Sequence, residues 1–180
     1  LGDVYKRQGL NNIFSSNCYF PSQLAKIIGK YCSVALINIY SSLSEKYYKE
    51  ELNVENIKPI IKTSLALKKQ GMHLEFVNYV TKYSDYKDDL RKFCDFIVET
   101  FGSSVPLTLI SFDNFYPQEL SELKIIAEES GLRYVYVPEI NEINTYCYNC
   151  KQLLIDRENK IINLEGDRCP NCGARIDIIL

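Results

Sequence analysis

The chain has 180 residues, of which 46% are hydrophobic, and a net charge of −2 at pH 7. This length accommodates one mid-sized domain and a small module, and the apolar content is enough for a buried core. The near-neutral charge excludes a general attraction to nucleic acid or anionic lipid, and no apolar run approaches the roughly 20 residues of a membrane span.

The first eight residues differ in character from the rest of the chain. Residues 3–8 read Asp-Val-Tyr-Lys-Arg-Gln, which is the translation of the end sequence of a transposon used to prepare sequencing libraries. We therefore interpret residues 1–8 as translated adapter and leave them out of the fold prediction. On this interpretation the native chain begins further upstream.

From residue 11 onward, short apolar runs alternate with amphipathic segments. The apolar runs predict five strands, at residues 13–15, 34–40, 72–80, 107–112 and 133–137. Apolar residues at helical spacing, with capping residues at the start or Gly at the end, predict helices between them, at residues 21–31, 45–52, 57–69, 85–101 and 117–130. This alternation predicts right-handed βαβ units around a parallel sheet.

Two Cys-x-x-Cys pairs follow the last predicted strand and a linker at residues 138–146. Cys147 and Cys150 form the first pair, and Cys169 and Cys172 form the second after a spacer of 18 residues. Each pair can grip a metal ion from a tight turn, and two pairs complete a tetrahedral site with four thiolates. The sequence therefore predicts a small zinc-ribbon or rubredoxin-like module at residues 141–180, after a larger domain at residues 9–140.

The metal in this module is predicted to be structural zinc, because four thiolates leave no open position for water or substrate. Iron in a rubredoxin-like site is the alternative, since sulfur ligands accept either metal. The other cysteines, Cys18, Cys32 and Cys94, are widely spaced and are interpreted as small buried hydrophobes. Seven cysteines without a secretory signal indicate reduced thiols and a cytoplasmic location.

Polar residues alternate with apolar ones on two predicted strands. If the apolar residues pack on helices, then Asn38, Tyr40, His73 and Glu75 face the other way. A buried Glu75 needs a ligand, a cation or a hydrogen-bond network, unless it and His73 lie at the surface. Asn17 follows the first strand, where parallel α/β proteins place ligand-binding loops, although Asn is also a common turn former.

Residues 13–172 together resemble a radical S-adenosylmethionine family, the pyruvate formate-lyase-activating-enzyme-like branch called AmmeMemoRadiSam. The resemblance is densest at residues 131–137 (Gly-Leu-Arg-Tyr-Val-Tyr-Val) and at residues 144–150 (Asn-Thr-Tyr-Cys-Tyr-Asn-Cys) with the second cysteine pair. Weaker matches are Ser16-Asn17, residues 69–75 and Phe115-Tyr116-Pro117. The resemblance implies an α/β fold that is the C-terminal part of a partial (β/α) TIM-type barrel of parallel strands, with a four-cysteine tail.

The resemblance also implies a chemistry. In the intact enzyme a [4Fe–4S] cluster would reductively cleave S-adenosylmethionine to a 5′-deoxyadenosyl radical, with an external reductant and a protein or small-molecule substrate. Asn17, Asn38, Tyr40, His73 and Glu75 would surround the cofactor or substrate. The chain lacks the Cys-x-x-x-Cys-x-x-Cys motif that binds the cluster, so the fragment itself is expected to be inactive.

The chain also departs from the family pattern at other positions, and two alternatives to the radical-enzyme hypothesis stay open. The family usually has an Asp-x-Lys pair where this chain has Asn38 and Tyr40, and a His and an Arg near Ser111 and Asn114. The missing Asp-x-Lys pair favours a non-catalytic barrel whose ribbon docks a partner protein, whereas the adapter-derived start of the chain argues against that alternative. The other alternative is an unrelated α/β protein whose ribbon binds nucleic acid. It is disfavoured because residues 147–180 carry equal numbers of basic and acidic side chains. The basic residues are Lys151, Arg157, Lys160, Arg168 and Arg175, and the acidic residues are Asp156, Glu158, Glu165, Asp167 and Asp177.

Overall fold

A computed structural model describes residues 9–178, so the adapter interpretation of residues 1–8 lies outside the described residues. Five strands form one sheet, and all its pairs are parallel. The strands are β1 (Ile13–Ser16), β2 (Val34–Tyr40), β3 (His73–Val80), β4 (Leu107–Ser111) and β5 (Val135–Tyr136). Helices alternate with them: α1 (Ala25–Tyr31), α2 (Glu45–Glu50), α3 (Lys58–Lys69), α4 (Tyr86–Phe101) and α5 (Pro117–Glu129).

The order of the strands in the sheet follows their order in the chain, β1-β2-β3-β4-β5. The sheet therefore has no point at which the direction of winding reverses. Since crossovers between parallel strands are right-handed in nearly all proteins, successive helices accumulate on one face of such a sheet. The α/β class and the parallel sheet predicted from the sequence are both present.

The two faces of the sheet differ in burial. On β2 and β3, buried residues alternate strictly with half-buried ones. The buried set faces the helices and forms the main core with the inner faces of α4 and α5. We call the other side the open face, and it consists of Val34, Leu36, Asn38, Tyr40, His73, Glu75, Val77, Tyr79, Thr108 and Ile110.

Some element boundaries differ from the prediction. Helix α1 begins later than residue 21, because Ser22–Leu24 forms a separate 3-10 turn. The predicted linker at residues 138–146 contains a second 3-10 turn, Pro138–Ile140, and strand β6 (Thr145–Tyr146). Strand β6 pairs with β7 (Leu153–Asp156), which pairs with β8 (Ile161–Ile162), and both pairings are antiparallel. The spacer between the cysteine pairs is thus a hairpin.

An unusual turn follows β2. Ser41, Ser42 and Leu43 are all buried and all left-handed, with φ of 40°, 57° and 54°. Left-handed backbone is unfavourable for residues other than glycine, so this turn needs support. Asn78 of β3 supplies it, because its Oδ1 accepts from the Ser42 N–H at 3.0 Å and its Nδ2 donates to Ser42 Oγ at 2.9 Å.

Replacing Gly29 with alanine is expected to destabilise the protein by about 1 kcal/mol. Gly29 lies in α1, and a Cβ atom there would stand 2.7 Å from Cβ of Gln70, which ends α3. The gain in helix propensity, about 1 kcal/mol, is smaller than an overpacking cost of about 1–3 kcal/mol. Urea denaturation of both proteins measures the difference.

The matched test is a double-mutant cycle with Gln70→Gly, which removes the atom that the new methyl group meets. The two substitutions are expected to couple favourably by about 1 kcal/mol. Strictly additive costs would show that the helices are not in close contact at this point.

Candidate functional site

The four predicted metal ligands come together in the ribbon. The Sγ atoms of Cys147, Cys150, Cys169 and Cys172 all lie within 4.8 Å of one another. Two cross-pairs, Cys147–Cys172 and Cys150–Cys169, have sulfurs 3.6 Å apart. Among residues 9–178 this is the one group of three or more His, Cys, Asp or Glu side chains that could hold a metal ion.

The two cysteine pairs have the same backbone geometry. The N–H of the residue after each second cysteine, Lys151 or Gly173, donates to the carbonyl of the first cysteine at 2.9 Å. Both residues are left-handed, with φ of 62° and 70°, which suits Gly173 and costs Lys151 some free energy. Cys147 and Cys169 donate their own N–H groups to the carbonyls of Gln152 and Ala174. We call each such turn a knuckle.

The sulfur geometry fits a tetrahedral ion. Metal–sulfur bonds of about 2.3 Å place the sulfurs of a tetrahedral site about 3.8 Å apart. The cross-pair spacing of 3.6 Å matches this within a few tenths of an ångström. The four cysteines are therefore arranged to hold one metal ion, and both zinc and iron are compatible with four thiolates.

The sulfurs occupy two environments. Burial raises the pKa of Cys147 to about 11. The side-chain amide of Asn171, followed by the Gln152 backbone, lowers the pKa of Cys150 to about 6. The Asn149 amide similarly holds the pKa of Cys172 below its usual range. Two sulfurs thus lie in the ribbon core, and the other two lie nearer solvent with polar support.

The ribbon packs on the end of the parallel sheet. Its small core consists of Tyr134, Cys147, Leu154, Cys169 and Ile176, so one member comes from the segment entering β5. Tyr136 of β5 shares a 2.8 Å hydrogen bond with Thr145. The Arg133 guanidinium lies 3.9 Å from the ring centroid of Tyr148, in the first knuckle. These contacts fix the ribbon against the sheet.

A cavity of about 890 Å³ lies between the ribbon and the open face. The first residues of β2 and β3 line it on one side, and Ile155 and Ile176 line it on the ribbon side. Most of its lining is aliphatic or aromatic, and the His, Asp, Glu, Lys or Arg residues in the lining are His73, Glu75, Arg157 and Asp177. Its size is in the range of small-molecule sites.

The five predicted cofactor residues separate into two groups. Asn38 and Tyr40 lie on the open face toward the carboxyl end of β2, and Asn17 follows β1 at the same end. Asn38 donates to Ser15 Oγ at 2.8 Å. The Asn17 side chain accepts from the Tyr19 N–H at 3.1 Å, which is the geometry of a turn-forming asparagine.

His73 and Glu75 form the second group, at the amino end of β3. Their side chains contact each other, with His73 Nε2 3.2 Å from Glu75 Oε1. They are 20% and 37% exposed, respectively, and line the cavity beside the ribbon. They therefore lie at the opposite end of the open face from Tyr40, which pairs with Tyr79 at the other end of the same strand pair.

An aromatic cluster at the carboxyl end was not predicted from the sequence. Tyr40 and Tyr79 stack with ring centroids 5.3 Å apart, and Phe112 meets both rings edge-on. Phe112 is 66% exposed, so the cluster presents an aromatic surface to solvent. The sequence did offer one signal: Tyr79 is an even number of residues from His73 and Glu75 on the same strand, so its side chain lies on the same face of the sheet.

The remaining cysteines do not form a second centre. Cys18 and Cys94 are buried, and burial raises their pKa values to about 11 and about 12. Neither these residues nor Cys32 belongs to any metal-holding group among residues 9–178. The described part of the chain therefore does not provide the ligands of a radical-enzyme [4Fe–4S] cluster.

Comparison with known proteins finds an archaeal relative. The chain is 32% identical over 198 aligned residues to the uncharacterized protein MJ0808 of Methanocaldococcus jannaschii. The alignment covers 98% of this chain and 57% of that protein, so the chain spans a little over half the length of its relative. No protein-family model and no solved structure matches the chain.

No helix within residues 9–178 combines the length and the apolar character that a membrane-spanning segment requires.

Proposed function

We propose that the parallel sheet is the C-terminal part of a partial (β/α) barrel and that its open face lines the interior of that barrel. Sequential strand order, with helices on one face of the sheet and a mixed aliphatic, aromatic and polar face opposite them, is the arrangement of such barrels. In this proposal the rest of the barrel comes from a longer parent chain, of which this sequence is one part.

The observation that carries the proposal is the exposed surface at β1. Within residues 9–178 no strand pairs with the outer edge of β1. Among residues 9–178, thirteen large hydrophobic residues are exposed, and six of them belong to this first βα unit, namely Leu10, Ile13, Tyr19, Leu24, Ile27 and Tyr31. Leu24, which ends the 3-10 turn and precedes α1, recurs at helical spacing with Ile27 and Tyr31 of α1. Ala25 is the buried residue of that helix. A further βα unit would cover this surface.

We also propose that the parent is a radical S-adenosylmethionine enzyme, on the strength of the sequence resemblance. The cysteines of the described residues do not fit the cluster, so this chain carries no step of that chemistry. Its own contribution would be to bind and orient cofactor or substrate with Asn17, Asn38 and Tyr40, and to exclude water with the aromatic cluster. His73 and Glu75 would line the cavity beside the ribbon. The partners would be a reductant and a protein or small-molecule substrate.

A second candidate function is a non-catalytic barrel that binds a partner protein. The specific observation in its favour is Asn38, which occupies the position of an acidic residue in the family and is hydrogen-bonded to Ser15. Tyr40, in the position of the family's lysine, is stacked on Tyr79. In this alternative both side chains serve the structure of the sheet.

For the ribbon we propose structural zinc. Four converging sulfurs, two of them in the ribbon core, leave no open coordination position. Iron is the alternative and would allow electron transfer toward a cluster. None of the seven cysteines, all of which lie within residues 9–178, forms a disulfide, and this suits a reducing cytoplasm. Metal content of the purified chain, measured by mass spectrometry, is expected to show one zinc per chain.

The native gene sequence upstream of residue 9 tests the enzyme proposal. We expect further βα units and, after an early strand, a Cys-x-x-x-Cys-x-x-Cys loop. The full-length protein, reconstituted with iron and sulfide without oxygen, should then release 5′-deoxyadenosine from S-adenosylmethionine. Native upstream sequence that lacks these cysteines would contradict the enzyme proposal, and the partner-binding barrel would then be the remaining candidate function.

A further inference from the structure

The cavity between the ribbon and the open face has an acidic end. Glu75 and His73 line it from the amino end of β3, and Asp177 lines it from the ribbon. His73 and Asp177 also line a smaller cavity of about 260 Å³, so the two cavities adjoin at these residues. Two carboxylates therefore border the main cavity at the end where His73 lies.

The carboxylate of Glu75 has acceptor capacity that the protein does not use. An ionised carboxylate accepts up to about four hydrogen bonds. Within residues 9–178 its one hydrogen-bond or ion-pair partner is His73, with Nε2 3.2 Å from Oε1. A donor that enters the cavity can therefore bind Glu75 without displacing a protein partner.

The guanidinium of Arg157, the one Lys or Arg in the lining, is engaged elsewhere. Its Nη1 donates to the Ile143 carbonyl at 2.6 Å and to Thr145 Oγ1 at 2.9 Å. The same group lies 4.9 Å from the ring centroid of Tyr136 in β5. Since β4 separates β5 from the strand of Glu75, the two strands are about 10 Å apart. Arg157 therefore does not pair with the carboxylate of Glu75.

The rest of the cavity suits an apolar molecule. Val34 and Leu36 line it on the sheet side, and Ile155 and Ile176 line it on the ribbon side. A charge interaction is stronger in such surroundings than in bulk water. A cation is thus the complementary partner for the acidic end of an otherwise mainly apolar cavity.

We propose that this cavity binds a small molecule with an apolar body and a protonated amine, and that Glu75 binds the amine. The apolar body lies between the ribbon and the sheet, and His73 holds the Glu75 carboxylate through their contact. The site is at the opposite end of the open face from Asn38 and Tyr40. The inference therefore goes beyond the proposed enzyme function and does not depend on it.

Three probes with one shared apolar body separate charge from hydrophobic contact. Phenylbutylamine is cationic at neutral pH, phenylbutanol is neutral and phenylbutanoate is anionic. Isothermal titration calorimetry of the zinc-loaded 180-residue chain is expected to show that the amine binds about 10- to 100-fold more tightly than the alcohol, as a hydrogen bond to a charged group provides. The carboxylate is expected to bind most weakly.

Glu75→Gln removes the charge and keeps the size of the side chain. This variant is expected to lose at least about tenfold in affinity for phenylbutylamine and to bind phenylbutanol as the wild type does. Glu50→Gln is the matched control, because Glu50 is an exposed glutamate of α2 outside the cavity. It is expected to bind all three probes as the wild type does.

Amide chemical shifts of the wild type locate the probe without any substitution. Phenylbutylamine is expected to shift residues 73–75 and 176–178 and to leave Tyr40 and Tyr79 unchanged. No binding of the amine, equal amine affinity in the wild type and Glu75→Gln, or tighter binding of phenylbutanoate overturns the inference. Shifts confined to Tyr40, Tyr79 and their neighbours also overturn it, because they would place the probe on the aromatic cluster.

Discussion

Replacing Cys169 with serine is expected to unfold the ribbon and to leave the parallel sheet folded. The residues from Cys147 onward have a core of only a few side chains, too small to be stable alone. Structural zinc contributes about 10–16 kcal/mol to the folding of comparable small modules, and serine does not replace a buried thiolate ligand. The main core of the sheet shares no buried residue with that of the ribbon.

Hydrogen exchange read by mass spectrometry checks this result peptide by peptide. Protection is expected to disappear over β6, β7 and β8 and to remain over β2, β3 and β4. Zinc removal from the wild type should give the same pattern, and Cys32→Ser, outside the metal site, should not. Loss of protection throughout the Cys169→Ser chain would mean that the sheet depends on the ribbon for its stability.

Replacing Asn78 with alanine is expected to cost about 2–4 kcal/mol of unfolding free energy. Asn78 is fully buried and makes two hydrogen bonds to Ser42. Without them a buried N–H and hydroxyl lose their partner, at about 1–3 kcal/mol for each unsatisfied group. The left-handed turn Ser41–Leu43 also loses its main support.

The matched control is Asn38→Ala on the adjacent strand. Asn38 is the same residue type on the open face, with one hydrogen bond to the exposed Ser15, so its loss is expected to cost less than about 1 kcal/mol. Urea denaturation of both variants measures the two costs. Equal costs would show that burial of the Asn78 bonds adds nothing to stability.

The regular elements could be predicted because their signals are local. A short apolar run marks β2 at residues 34–40, where the structure also has it. Gly102, with φ of 97°, ends α4 as the sequence indicates. The spacing of the cysteines likewise predicted the four ligands that the structure brings together.

The parts that could not be predicted depend on distant partners. The position of Asn78 in β3 places its side chain on the buried face of the sheet, but its hydrogen-bond partner Ser42 lies 36 residues earlier in the chain. Parity placed His73 and Glu75 on the open face, but their separation from Asn38 and Tyr40 required knowing which end of the strand each occupies.

The two edge strands of the sheet, β1 and β5, differ in what covers them. At β5 the chain turns back, so that Val137 and Glu142 bond to each other and the ribbon packs against the same end. At β1 the backbone edge lies beside uncovered aliphatic side chains. If the sheet is part of the barrel that we propose, a further βα unit would pair with the open edge of β1, and every existing strand pair would stay in register.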